Sequence, residues 1–135
     1  MTVPSPALLD TSVVIDLESL DQADFTGEQT ISSITLAELI SGPHATDDPL
    51  ERAARLERLL RIESLMNPLP FDVEAARAYG RVYAATRHAN RKPRGARVMD
   101  LLIASVAMAH QLPLITRNPE DVAHLTAIGL AIHVV

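Results

Sequence analysis

Cysteine and tryptophan are absent from the 135-residue sequence, and phenylalanine and tyrosine occur only twice each. Without cysteine the chain has no disulfide framework, no thiol nucleophile and no cysteine ligand for zinc. This absence indicates a protein of a reducing compartment, where disulfides do not persist. The few aromatic side chains also leave little material for stacking on nucleic-acid bases.

Lysine and arginine are absent from residues 1–51, which hold ten Asp and Glu residues. A secretory signal begins with a positively charged region, so this acidic start predicts none. The least polar long stretch, residues 98–116, still contains Asp100, His110 and Pro113. It therefore predicts a buried helix and strand rather than a membrane span. Together these features favour a cytoplasmic protein.

The basic residues are concentrated in the middle of the chain. Residues 52–97 hold eleven of the twelve Lys and Arg residues against four acids, so the net charge of −5 averages two unlike regions. Such asymmetry indicates a nucleic-acid or partner surface, or simply two solvated faces. The length and the 47% apolar share fit one folded domain over residues 1–135.

Short apolar runs alternate with helical patterns along the whole chain. This order predicts a mostly parallel sheet covered by helices on both faces, with sites at the carboxyl ends of strands. The predicted strands cover residues 7–9, 29–33, 68–71, 113–116 and 132–135. The predicted helices cover residues 13–20, 35–40, 50–65, 73–88 and 98–109, and a last one begins at 118–119. In the helix over 73–88 the inward residues are expected to be Val73, Ala76, Tyr79, Val82 and Tyr83.

Three carboxylates stand alone in apolar sequence. Asp10 is the only charged side chain in residues 1–15, and Glu38 and Asp100 are equally isolated in their own segments. An unpaired carboxylate in a core costs several kcal/mol or becomes protonated. Arginine partners, backbone caps or a shared divalent metal could each compensate.

Each carboxylate also has an ordinary structural interpretation. Glu38 completes a capping-box pattern with Thr35, Asp10 can cap the following helix, and Asp100 can pair with Arg97. These interpretations are less persuasive together, because all three carboxylates lie in predicted core. A cluster of oxygen ligands without cysteine suits Mg²⁺ or Mn²⁺ rather than zinc.

A fourth ligand is expected from Asn118 or Asp121, although the same residues also describe an ordinary helix start. Thr11, Ser12 and Thr116 are candidates for orienting the ligands or a bound water. Capping or turn hydrogen bonds are the alternative role for these three hydroxyls.

Four segments in order resemble the PIN-domain ribonucleases, and specifically the VapC-type toxins of bacterial toxin–antitoxin pairs. They are residues 8–12 (LLDTS), 35–39 (TLAEL) with Gly42 after it, 100–109 beginning DLLIA, and 114–118 (LITRN) followed by Asp121. The order and spacing of these segments cover the whole chain.

The resemblance implies a three-layer α/β/α sandwich with a mostly parallel sheet of about five strands. It implies an endoribonuclease dependent on one or two Mg²⁺ ions, with Mn²⁺ able to substitute. Asp10, Glu38 and Asp100 would form its acidic core. Family members often carry an acid at or near the last motif, where this chain has Asn118 at the first position and Asp121 at the second. We favour Asp121 as the fourth ligand, with Asn118 as a neutral hydrogen-bonding group.

The resemblance also implies two protein partners. One is a VapB-like antitoxin, bound in a groove near the helices after Glu38, and the other is a second copy of the chain. An apolar stripe could supply part of that groove, although core packing accounts for most of it: Leu36, Leu39, Ile40, Leu56, Leu59 and Leu60.

An acidic pocket repels RNA phosphates unless a metal reverses its sign, so a positive surface is expected beside it. The preferred patch lies within eleven acid-free residues that lead to Asp100: Arg87, Arg91, Lys92, Arg94 and Arg97. Arg117 is a second candidate for binding the RNA substrate, which would be tRNA, rRNA or mRNA. A solvated loop and an ordinary salt bridge are the respective alternatives.

Two other function classes compete with this hypothesis. A phosphatase or phosphoacceptor domain would use Asp10 as nucleophile, but Ser12 stands where a second Asp is expected. The only lysine, Lys92, precedes Asp100 instead of following it. A catalytically inactive PIN-like interaction module is the other alternative, and the retained acids disfavour it.

Overall fold

A parallel sheet forms the centre of the molecule in the computed structural model, which describes residues 2–135. The strands run in the order β2-β1-β3-β4, and every neighbouring pair is parallel. Their bounds are β1 Ala7–Leu9, β2 Gln29–Thr30, β3 Leu114–Thr116 and β4 Ile132–Val134.

Five α-helices and several 3₁₀ segments connect the strands. The helices are α1 Thr11–Ile15, α2 Ser33–Ser41, α3 Pro49–Leu65, α4 Val73–His88 and α5 Arg97–Ala109. The 3₁₀ segments are Leu17–Ser19, Gln22–Asp24, Gly42–Ala45, Pro119–Asp121 and Ala123–Ile128. None of the helices within residues 2–135 is long and apolar enough to cross a membrane.

The helices pack on both faces of the sheet and create two apolar clusters. Successive strand residues point to opposite faces, so Leu8 enters one cluster and Leu9 enters the other. The Leu8 cluster includes residues of α4 and α5, and the Leu9 cluster includes residues of α1, α2 and α3. The predicted α/β/α sandwich is confirmed.

The fifth predicted strand, residues 68–71, is reduced to one bridge. The Leu69 N–H donates to the Ile31 carbonyl and the Ser33 N–H donates to the Leu69 carbonyl, both at 2.8 Å. Pro68 and Pro70 flank Leu69 and have no N–H to extend the ladder.

The inward face of α4 matches the prediction only in part, since Val82 is buried and Tyr79 packs against the core as expected. Val73 and Tyr83 are 63% and 42% exposed, and Ala76 is exposed as well. Small side chains allow α4 to pack closely against α5, so the buried face of α4 consists mainly of small residues. The buried residues of α4 are Ala75, Ala78, Val82 and Thr86.

The segment after β3 also differs from the prediction. Asn118 makes no side-chain cap, and Pro119–Asp121 is a 3₁₀ turn instead of the start of an α-helix. The Asn118 N–H donates to Thr116 Oγ1 at 3.0 Å, so the strand residue organises this turn.

The N-cap of α4 is as predicted and gives a test of the fold. Asp72 accepts a hydrogen bond from the Ala75 N–H at 3.0 Å. We expect Asp72→Ala to lower the free energy of unfolding by about 1 kcal/mol, because an orphan N–H loses its partner. Asp47→Ala is the matched control, since Asp47 is exposed and makes no hydrogen bond. Equal urea midpoints for the two variants would contradict the capping role.

Candidate active site

Asp10 is fixed where β1 ends. Its carboxylate is 6% exposed, and Oδ1 accepts the Ser12 N–H at 2.7 Å. Its Oδ2 accepts the Thr116 hydroxyl at 2.6 Å. Asp10 therefore caps α1, as its structural interpretation predicted. The bond from Thr116 adds a link to β3 that capping does not require.

Glu38 is held by Thr11, the first residue of α1. Its Oε1 accepts the Thr11 hydroxyl at 2.7 Å, and Thr11 Oγ1 lies 3.0 Å from Thr35 Oγ1. Because Thr11 gives its only hydroxyl proton to the carboxylate, the Thr35 hydroxyl is the donor to Thr11. This is a directional chain of hydroxyls that ends on the acid.

The capping-box interpretation of Glu38 is wrong. The N-cap of α2 is Ser32, whose Oγ accepts the Thr35 N–H at 3.1 Å. Thr35 thus lies inside the helix, fully buried, and Glu38 faces Thr11 instead of the helix start. Sequence reasoning did not assign Thr35 to the site. Its signal was a polar side chain one helical turn before the isolated acid.

Asp100 is half-buried in the first turn of α5, and its side chain makes no hydrogen bond within residues 2–135. Its pKa is raised from 3.8 to about 7, first by burial and then by the charges of Asp10, Asp121 and Glu38. Arg97 opposes this shift. Three carboxylates from separate segments of the chain are therefore close enough to Asp100 to disfavour its ionised form.

Arg97 pairs with Asp121, not with Asp100 as the structural interpretation proposed. Arg97 Nε lies 3.4 Å from Asp121 Oδ1, and Nη1 donates to the Lys92 carbonyl at 3.0 Å. Asp100 and Asp121 line the same groove of about 520 Å³, with Lys92 and Arg94 on its other side. The sequence-predicted acid and basic loop therefore lie beside one another.

Of the remaining predicted residues, two bond a carboxylate of the site with their side chains and the others do not. Thr116 bonds Asp10 directly and Thr11 bonds Glu38. Ser12 instead uses its Oγ to accept the Arg117 N–H at 3.1 Å. Arg117 Nη1 lies 3.1 Å from Asp16 Oδ2, which is the ordinary salt bridge considered for it. Asn118 is exposed, and its side chain makes no hydrogen bond.

The donor chemistry fits a hard divalent cation. Each carboxylate keeps oxygen lone pairs that no hydrogen bond uses. Among the described residues, Arg97 alone is near enough to lower the pKa of Asp100. Within residues 2–135, no three His, Cys, Asp or Glu side chains are close enough as they stand to hold an ion together. A bound ion would therefore have to draw these oxygens closer.

Fold and site together define an α/β/α sandwich whose acidic centre lies at the carboxyl edge of a parallel sheet. The PIN domain family matches residues 7–125. Ribonuclease VapC5 of Mycobacterium tuberculosis is 38% identical over 128 residues, covering 90% of each chain. Ribonuclease VapC1 of Rickettsia felis is 32% identical over 118 residues, covering 84% of this chain and 86% of its own.

Solved structures agree with these relatives. The VapBC-5 complex of M. tuberculosis, a toxin–antitoxin system, matches with a TM-score of 0.80 and 33% identity over 98% of both chains. DNA-bound VapBC of Salmonella typhimurium matches with a TM-score of 0.73 and 27% identity over 95% of this chain and 96% of that one. The chain therefore belongs to the PIN-domain family, among the VapC ribonucleases.

The raised pKa of Asp100 gives a pH-dependent prediction. A carboxyl whose folded pKa lies above its unfolded value favours the folded state at low pH and loses that contribution as pH rises through about 7. We therefore expect Asp100→Asn to raise the Tm of metal-free protein by several degrees at about pH 8. At about pH 3 the gain should vanish, because the carboxyl is protonated in both states.

The control for this comparison is Glu120→Gln, which removes an exposed carboxylate without a bonding partner. Its Tm should follow that of the wild type across the whole pH range. A constant difference between Asp100→Asn and the wild type from acid to alkaline pH would contradict the assigned origin of the shift.

Proposed function

We propose that the chain is the toxin of a toxin–antitoxin pair and acts as a metal-dependent endoribonuclease on tRNA, rRNA or mRNA. The observation that carries this proposal is the placement of Asp10, Glu38, Asp100 and Asp121 near one another at the site, where burial and then the charges of the other three raise the pKa of Asp100. A stable fold gains nothing from gathering four acids, whereas a metal centre requires them. The relatives named as VapC ribonucleases support the reaction class.

The four carboxylates would hold one or two Mg²⁺ ions, with Mn²⁺ as a substitute. When bound, such ions supply an acidified water and neutralise charge on the phosphodiester. The chain's own contribution is orientation. Thr116 and the Ser12 N–H fix Asp10, Thr11 fixes Glu38, and Arg97 fixes Asp121.

The RNA would approach across the basic loop, residues 90–96. Arg91, Lys92 and Arg94 make no side-chain hydrogen bond or ion pair, so they are free to meet phosphates. Arg97 adds charge to the same groove while it holds Asp121. We assign Arg117 a smaller part in RNA binding, since Asp16 already pairs with it.

A VapB-like antitoxin would bind on the opposite face of the sheet. Of the apolar stripe, Leu39 and Leu59 are core residues, whereas Ile40, Leu56 and Leu60 are 46%, 46% and 60% exposed. A groove of about 320 Å³ lies between α1 and the end of α3, and its lining includes Val14, Leu17, Ile62 and Leu65. The structural neighbours named as VapBC complexes support such a partner, and we propose a homodimer as the assembled form.

The catalytic assignment is tested by single carboxylate substitutions. We expect Asp10→Asn and Asp100→Asn each to reduce Mg²⁺-dependent RNA cleavage by at least about 100-fold, because each removes a charge that the metal centre needs. Cleavage of bulk tRNA, followed by gel electrophoresis with and without chelator, measures the effect. Glu120→Gln should cleave at the wild-type rate.

Two results would oppose the assignment. Equal cleavage by wild type and both variants would exclude these carboxylates from catalysis. Calorimetry that detects no Mg²⁺ or Mn²⁺ binding, with or without RNA, would favour an inactive interaction module.

The basic loop is tested by the salt dependence of RNA binding. The logarithm of the binding constant falls with the logarithm of salt by about 0.7 for each phosphate neutralised on a single strand. Replacing Arg91, Lys92 and Arg94 by glutamine should therefore lower the slope by about 2. An unchanged slope would make the loop a solvated surface.

A further inference from the structure

Half of the basic side chains are already bonded within the molecule. Among the twelve Lys and Arg residues, six make hydrogen bonds or ion pairs: Arg52, Arg55, Arg61, Arg77, Arg97 and Arg117. The other six make none: Arg58, Arg81, Arg87, Arg91, Lys92 and Arg94. Five of these six unpaired cations lie between residues 81 and 94, and four of them follow one another from the end of α4 into the surface of the basic loop: Arg87, Arg91, Lys92 and Arg94.

This surface begins before the basic loop, on the outer side of α4. Tyr83, Ala84, Arg87 and His88 line an open groove of about 470 Å³. Arg81 lines a separate groove with Glu74 and Arg77. Tyr83 and Arg87 instead lie one helical turn apart on one side of α4, next to Ala84 and His88, and the stretch from Tyr83 to His88 is about 8 Å long. We call these four residues the α4 surface.

The α4 surface contains an exposed aromatic ring. Tyr83 is 42% exposed, whereas the two phenylalanines and Tyr79 are each more than half-buried. The Tyr79 ring meets it edge-on, with centroids 6.1 Å apart and planes inclined by 60°. This contact limits the motion of the Tyr83 ring, so that its free face is available for stacking.

The α4 surface continues into the groove that holds the carboxylates. The Arg91 N–H donates to the Thr86 carbonyl at 3.0 Å, so the basic loop folds directly over the end of α4. Lys92 and Arg94 then reach the groove shared with Asp100 and Asp121. A single strand could therefore run from α4 across the loop to the acids over one acid-free path.

We propose that the α4 surface is a second contact site for the RNA substrate, where one base stacks on Tyr83 and a neighbouring phosphate meets Arg87. The inference rests on the proposed function and extends it. Cations beside an aromatic face are the combination that single-stranded RNA uses. A second copy of the chain fits less well, because a symmetric contact would place arginine against arginine.

The test measures RNA binding by the full-length chain carrying Asp10→Asn, so that bound RNA is not cut. The probe is a labelled oligouridylate long enough to span α4 and the loop, titrated over a range of KCl concentrations. Arg87→Gln should lower the salt slope by about 0.7, the value of one phosphate contact on a single strand. Arg58→Gln is the matched control, since Arg58 is also unpaired but lies on α3, across the sheet, and should leave the slope unchanged.

Stacking is tested separately from charge. Tyr83→Ala should weaken binding by about 5- to 100-fold without changing the salt slope, whereas Tyr83→Phe should bind like the parent. Unchanged thermal unfolding of Tyr83→Phe and Arg87→Gln keeps the comparison valid if Tyr83→Ala is unstable.

The failures of the two proposals can be told apart. No RNA binding by the parent would overturn both the RNA-binding part of the proposed function and this inference. Parent binding that Arg87→Gln and Tyr83→Ala leave unaltered in strength and slope would overturn the inference alone. So would a change in the sedimenting mass of these variants with RNA binding per chain unchanged, which would make the α4 surface an interface between copies.

Discussion

The parallel pairing of β1 with β3 is the constraint on which the site depends. Its register places Leu9 opposite Ile115, so the next residue of each strand, Asp10 and Thr116, emerge together. Their side chains meet at 2.6 Å although they are 106 residues apart in sequence. The apolar residues that bury β1 and β3 on both faces therefore also fix the first carboxylate of the site.

The ionised carboxylates of the site lower the stability of the folded chain. Burial makes the ionisation of Asp100 unfavourable, and three nearby carboxylates add to this effect, so that its pKa is raised to about 7. The hydroxyls of Thr11 and Thr116 stabilise the charges of Glu38 and Asp10 but add no positive charge. Arg97 compensates only Asp121 closely. A cation bound as proposed would relieve the remaining unfavourable charge at Asp100, and its binding would then stabilise the folded chain.

The sequence pointed to Asp10, Glu38 and Asp100 because a single charged residue within an apolar segment is visible without knowledge of the fold. It also placed α4 at residues 73–88 and named Asp72 as its cap, since both are local signals. It found the inward face of α4 only in part: Val82 and Tyr79 contribute to the core as predicted, but the buried alanines that pack against α5 were missed. It missed Thr35, whose role exists only once α2 lies beside Thr11.

The basic middle of the chain needed the structure for a different reason. Composition gives Arg55 and Arg87 the same charge, but Arg55 is bonded to Glu51 and to the Gly42 carbonyl. The paired arginines of α3 thus stabilise the chain's own backbone and acids, while those at the end of α4 have no internal partner. A net charge of −5 is therefore compatible with RNA binding, because what an RNA phosphate meets is the local excess of unpaired cations, not the sum over the chain.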